Sequence, residues 1–167
     1  MERLLEDIRR AVSCEAWYAA LALALVLPDI CGFVDGALQG SGARYADWFD
    51  RHVSGRYGGA GGQQFLSGDD CYALRCAYLH QGDFDITDQR AQRALSRFRF
   101  VVPPATWTVH NNLIDDTLQL QVSNFCEDMC EAVDGWLPSI SADPSKATRL
   151  AKLALIEIHE PGKPLSI

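Results

Sequence analysis

The stretch Glu15-Ala16-Trp17-Tyr18-Ala19-Ala20-Leu21-Ala22-Leu23-Ala24-Leu25-Val26-Leu27 constrains this chain more than any other, because wound as a helix it is apolar on nearly every side. A soluble helix of that kind lies at the centre of a fold or packs against a second copy of itself. The pattern predicts that Pro28-Asp29 and Gly32 break it, which leaves a run too short to span a bilayer. Before it, Leu4, Leu5, Ile8 and Val12 recur at helical spacing and give an amphipathic first helix. The opening Met1-Glu2-Arg3-Leu4-Leu5-Glu6-Asp7 is charged, unlike a secretory signal, so a reduced cytoplasm and no membrane are the expectation.

Tyr45, Trp48, Phe49 and Val53 mark a third helix from about Ser41, and the glycine-rich Ser54 to Gly62 reads as a loop. Ser67 with Asp70 three residues on forms a capping box, opening a helix that runs to about His80 and stops at Gly82. The polar segment after it holds one short helix around Thr87 to Ala94. Phe98 to Val102, Thr106 to Val109 and Leu118 to Val122 favour strands, with Pro103-Pro104 between the first two. Phe125, Met129, Val133 and Trp136 define a last strong helix, and Leu150 to Ile158 suits helix or strand. The expected fold is mainly α, one domain over 1–167, with a small β-hairpin or sheet inserted near residues 98–122.

The net charge of -7 argues against a general nucleic-acid coat, since non-specific binding needs an excess of basic residues. It leaves room for an enzyme that grips one short piece of RNA. Arg90, Arg93, Arg97 and Arg99 fall close together, and a solvated face is the simplest account of them. The six cysteines contain no pair two residues apart, so zinc-knuckle spacing is missing. Cys126 and Cys130, one helical turn apart beside Phe125 and Met129, read as buried thiols. No cofactor or metal is expected.

The chemistry-bearing run is Arg75-Cys76-Ala77-Tyr78-Leu79-His80. A guanidinium can hold phosphate with two parallel hydrogen bonds, and an imidazole exchanges a proton near neutral pH. On a helix the two residues lie about 140° apart, with Leu79, Tyr72, Cys76 and Asp69 between them. Side chains so separated converge poorly on one atom within a single copy. Two antiparallel copies about a two-fold axis would bring two arginines and two histidines into one cleft.

Leu66-Ser67-Gly68-Asp69-Asp70-Cys71-Tyr72-Ala73-Leu74-Arg75-Cys76-Ala77-Tyr78-Leu79-His80-Gln81-Gly82 resembles the corresponding segment of small stand-alone bacterial HEPN proteins. The family is marked by arginine, four to six residues, then histidine. The resemblance covers the helical segments and not the β-rich insertion. It implies a HEPN-like helical bundle and a dimeric, metal-independent endoribonuclease, with Arg75 and His80 catalytic; Asp69, Tyr72 and Cys76, on the same helix face, are the expected substrate-binding or supporting residues. It further implies that the ribose 2′-hydroxyl attacks phosphorus to leave a 2′,3′-cyclic phosphate, in a setting of bacterial defence or toxin activity. The partners implied are RNA and a second copy meeting the face that carries Arg75 and His80. Two positions depart from the family. Cys76 stands where a polar residue is common, and Gly82 stands where a tyrosine marks toxins silenced by a nucleotidyltransferase antitoxin. The alternative within the family is an inactive module that binds RNA or nucleotide, or serves as a dimeric adaptor.

Plainer readings stay beside these. Arg75 can be a surface ion pair with Asp69, Asp70 or another acidic neighbour, and His80 a helix C-terminal residue favoured by the dipole. Cys71, Cys76 and His80 have spacings poorly suited to one zinc site. His110 reads as a turn residue that could approach a substrate, His52 as solvated, and His159 as part of the tail.

Overall fold

The computed structural model describes residues 1–36, 40–59, 61–90, 92–93 and 95–153, and it is mainly helical with a small three-stranded mixed sheet. Helix α1 spans Glu2–Ser13, α2 Trp17–Asp35, α3 Ser41–His52 and α4 Gly68–Gln81. Strands β1 (Arg97–Val101), β2 (Asn112–Ile114) and β3 (Thr117–Gln121) follow, then α5 (Val122–Trp136), α6 (Pro138–Ser141) and α7 (Pro144–Ala151).

The apolar run does occupy the centre. Helix α2 packs against α1, α3, α4, α5 and α7, and it buries Ala20, Leu21, Ala24, Leu25, Leu27, Cys31 and Val34. It does not stop at Pro28, as the sequence pattern predicts, but continues for two more turns. Proline removes one N–H, so the Ala24 carbonyl loses its helical donor, at a cost of about 3 kcal/mol. Burial of Leu27 and Val34 on either side contributes about 1.5–3 kcal/mol each, which offsets that loss. Gly32 is likewise no breaker. A Cβ there would lie 2.6 Å from the Arg44 carbonyl oxygen, so its bare backbone is what lets α2 and α3 approach. The stop is Gly36, with φ at +68°. At 19 residues α2 is, by length and composition alone, apolar and long enough to cross a membrane, contrary to the shorter span expected, and half of that stretch is buried within the protein.

Helix α4 begins and ends as its sequence predicts. The Ser67 hydroxyl accepts from the Asp70 N–H at 3.1 Å, and Gly82 closes the helix with φ at +69°. The Asp70 side chain does not complete the box by bonding back to the Ser67 backbone; its Oδ2 accepts from the Ser67 hydroxyl at 2.8 Å and its Oδ1 from the Arg93 N–H at 2.7 Å.

Around the sheet the strands differ from the pattern. The order is β1-β3-β2, with β3 parallel to β1 and antiparallel to β2. Thr106 to Val109 is irregular, and β2 forms instead at Asn112–Ile114, just after the turn expected at His110. Pro103-Pro104 offer no donors to a ladder. Asn111 and Asp115, with φ of 57° and 52°, supply the left-handed backbone that brackets β2 and turns it back into β3. The short helix expected at Thr87 to Ala94 is also absent among the described residues, where Asp83 and Asp85 accept from the N–H groups of Asp85 and Thr87 in tight local turns. Ala94, the chain beyond Leu153 and hence His159 lie outside the described residues.

Candidate functional site

Two consecutive facts of backbone geometry set the site. Because α2 continues past Pro28, Asp29 projects from it beside α4; because α4 continues to Gln81, His80 falls in its last turn. Arg75, from the middle of α4, reaches both. Its Nε donates to Asp29 Oδ2 at 2.9 Å, and its Nη1 lies 3.3 Å from His80 Nε2.

That second distance changes the sequence expectation. A separation of 140° makes convergence on one atom poor within one copy, yet the arginine is long enough to lie along the last turn and meet the ring. Arginine can only donate, so Nε2 is the acceptor in this contact, and the neutral imidazole carries its proton on Nδ1. In this contact the ring's one accepting lone pair is engaged by the guanidinium.

Arg75 and Asp29 are half-buried, with side chains 23% and 20% exposed. Burial works against the guanidinium's charge, and Asp29 more than offsets it, so its pKa rises above the ordinary arginine value. Burial lifts the Asp29 carboxyl above the usual carboxylate range, and Arg75, then Arg44, pull it only part of the way back. Arg44 is the second cation near Asp29, and its Nε is buried without a hydrogen-bond partner. Two guanidiniums therefore face one carboxylate, which leaves local positive charge in a chain of net charge -7.

The supporting residues named from the sequence divide. Cys76 is half-exposed and lies close enough to raise the Arg75 pKa further. Tyr72 has its hydroxyl 3.3 Å from Ser41 and its ring against Tyr45, so it ties α4 to α3. Asp69 turns to Arg93 at 2.9 Å, and its ion pair is with that residue and not with Arg75. The plainer reading of Arg75 is met in kind, by an acidic neighbour, but the neighbour is Asp29 and not Asp69 or Asp70. Asp29 and Arg44 are the members the sequence reading missed. One signal was available: Asp29 is the lone charged residue between Glu15 and Asp35, in a helix otherwise apolar.

The other candidates lie elsewhere in the fold. Cys71 is fully buried against the Tyr45 hydroxyl, and burial pushes its thiol up to about 12, so it cannot serve as a thiolate ligand beside His80. His110 pins the β2 approach to α5: its Nδ1 accepts from the Gln121 N–H at 3.2 Å and its Nε2 faces Asp128 Oδ2 at 3.3 Å. Asp128 also accepts from Tyr57 at 2.8 Å. His52 is only partly solvated, with its ring 5.0 Å from that of Trp48. Arg93 and Arg97 pair with Asp69 and Asp85 on an exposed face, as a solvated cluster does. Cys126 and Cys130 are buried as read. An apolar groove of about 150 Å³ lies between Trp17, Tyr18, Phe84, Phe100 and Val102, at the opposite end of α2 from Asp29.

The chain was compared with known protein families, with curated proteins and with solved structures, and it matches none of them.

Proposed function

We propose that this chain is a HEPN-type, metal-independent endoribonuclease acting on RNA as a homodimer, with Arg75 and His80 as its catalytic pair. The observation that carries the reading is the contact of Arg75 Nη1 with His80 Nε2 at 3.3 Å, made by a guanidinium whose Nε is already held by Asp29. A cation and a proton acceptor so placed suit an in-line transfer in which the ribose 2′-hydroxyl attacks the adjacent phosphorus. Once Arg75 Nη1 leaves Nε2 for a phosphate oxygen, His80 takes a proton from the nucleophile through Nε2, or in its protonated form returns one to the leaving 5′-oxygen. Arg75 offsets the charge that grows on the equatorial phosphate oxygens. The products are a 2′,3′-cyclic phosphate and a 5′-hydroxyl. DNA, lacking the nucleophile, is inert. Cytoplasmic action in bacterial defence, or as a toxin, is the setting that the HEPN resemblance supplies.

A second reading rests on Asp29. A carboxylate at 2.9 Å weakens the hold of Arg75 on phosphate, which favours a module that binds RNA or nucleotide without cleaving it. Mixed-sequence RNA incubated in chelator with wild type, Arg75→Ala and His80→Ala separates the two. The nuclease reading expects cleavage to fall about 10²–10⁴-fold in His80→Ala and about 10²–10³-fold in Arg75→Ala. Cleavage that persists in both variants removes the site assignment. RNA retention without cleavage by wild type supports the binding module.

A further inference from the structure

Strand β1 repeats a two-residue unit, Arg97-Phe98-Arg99-Phe100, and its two units are met differently along the outer edge of the sheet. Strand β3 covers the inner edge throughout, from Arg97 to Val101. On the outer edge the chain's own Phe84-Asp85-Ile86 lies antiparallel to the first unit. The Phe98 N–H donates to the Phe84 carbonyl at 2.8 Å, the Ile86 N–H donates to the Ser96 carbonyl at 2.9 Å, and Arg97 meets Asp85 at 2.6 Å. Ile86 is buried, and Phe84 packs against Tyr78 and Phe100. Apolar, acidic, apolar is thus the pattern that satisfies one Arg-Phe unit. The pairing goes no further, because Gly82 turns the chain away into α4.

The second unit has no such partner. Backbone groups alternate between the two edges of a strand, so Phe100 turns its N–H and carbonyl to the same side as Phe98. Among the described residues nothing bonds to them there. Arg99 is exposed and, unlike Arg97, has no acidic partner among the described residues. Beside this stretch lies the apolar groove of about 150 Å³ between Trp17, Tyr18, Phe84, Phe100 and Val102. A cavity of that volume holds one benzene ring. Tyr18 and Val102 are 79% and 54% exposed at its rim.

We infer that this edge is the docking site for an extended segment of another protein, which adds to β1 as a further strand and carries an aromatic residue followed by an acidic one. It runs antiparallel to β1, the sense that Phe84 to Ile86 already takes. In that register the aromatic residue stands opposite Phe100, exchanges both backbone hydrogen bonds with it and fills the groove. The carboxylate after it stands opposite Arg99, on the solvent face, where an opposite-charge pair is favourable. A helix or a bilayer laid on the groove would gain the apolar contact but leave the Phe100 N–H and carbonyl covered and unpaired. The inference is independent of the proposed nuclease: neither Arg75 nor His80 lines the groove, and no RNA enters the test.

The probe is the synthetic peptide acetyl-TVTFD-amide, added to the full chain, with amide hydrogen exchange read residue by residue by NMR. At a peptide concentration about ten times its Kd, exchange at Phe100 is expected to slow about tenfold, while Phe98, already bonded to Phe84, is unchanged. Alanine in place of the peptide's phenylalanine is expected to weaken binding about tenfold, and lysine in place of its aspartate about fivefold. Arg99→Glu, at an exposed position, is expected to invert the second preference, so that the lysine peptide binds better than the aspartate one. No slowing at Phe100 with about 1 mM peptide overturns the inference. So does a peptide that binds while Phe100 exchanges freely, or a charge preference that Arg99→Glu leaves in place. A Phe100 amide already protected in the free chain assigns the edge to the chain itself or to a second copy, and overturns it. Protection by phosphatidylcholine vesicles and not by the peptide assigns the groove to a membrane and overturns it too.

Discussion

Two carboxylates six residues apart on α2 show how one helix serves two purposes. Asp35, at the C-terminal end, is saturated: it accepts from Arg51 at 2.8 Å, Lys146 at 2.7 Å and Trp136 Nε1 at 3.1 Å, with a side chain only 4% exposed. Arg149 meanwhile donates to the Asp35 carbonyl at 3.0 Å and to the Val34 carbonyl at 2.5 Å, closing the last turn of α2. Burial disfavours the Asp35 charge, but Lys146, Arg51 and Trp136 together hold its carboxyl below the usual range. Asp29 lies where one cation reaches it directly, and burial wins instead. A saturated carboxylate locks helices together. One held by a single direct hydrogen bond, beside a guanidinium with donors to spare and an imidazole, marks a place where a ligand still has something to bind.

Truncation should separate the two most strongly. Asp35→Ala takes a buried carboxylate from Lys146, Arg51 and Trp136 Nε1, with Arg51 keeping only Asp47, and should cost about 1.5–3 kcal/mol, the range for hydrogen bonds to a charged group. Asp29→Ala removes one half-buried pair whose arginine can turn to solvent, and it should change stability by about 1 kcal/mol or less. Urea melts of both variants check this. Equal losses would mean that Asp29 is as structural as Asp35, and the contrast would fall.

A smaller effect sharpens the contrast by its sign. A carboxyl lowered in the folded state binds protons less readily there than in the unfolded chain. Its stabilisation is full above the ordinary carboxylate value near 4 and is lost as pH falls through the lower folded value. Asp35 is of that kind. Asp29 is the reverse: raised in the folded state, it favours folding most when protonated and loses that contribution as pH rises through its folded value. Stability measured from pH 3 to 6 should rise less steeply in Asp35→Asn than in wild type, and more steeply in Asp29→Asn. The same slope change in both would contradict the assignment.

The central helix, the capped α4 with its glycine stop, and the β-rich insertion were legible because each follows from local pattern: all-round apolarity, Ser67 with Asp70, Gly82, and alternation at Leu118 to Gln121. What escaped the sequence depends on contacts between distant segments. Pro28 and Gly32 are breakers by propensity, yet burial of Leu27, Cys31 and Val34 and the close approach of Arg44 keep the helix intact. Reading a break at Pro28 also hid Asp29, since a residue in a turn has no fixed relation to α4. The strand at Asn112–Ile114 escaped for a similar reason. Three residues with no alternation become a strand only because Leu118 lies opposite Leu113. Of the site, Arg75 and His80 were visible as a spacing, but their meeting within one subunit depends on a rotamer that no spacing specifies.

The most direct test of the account reads the ends of the RNA it cuts. Wild type in chelator should convert RNA into fragments with 2′,3′-cyclic phosphate and 5′-hydroxyl termini, leave DNA of the same sequence intact, and lose this activity in His80→Ala. Fragments ending in a 3′-hydroxyl and a 5′-phosphate, or the same cyclic products from His80→Ala, would contradict it.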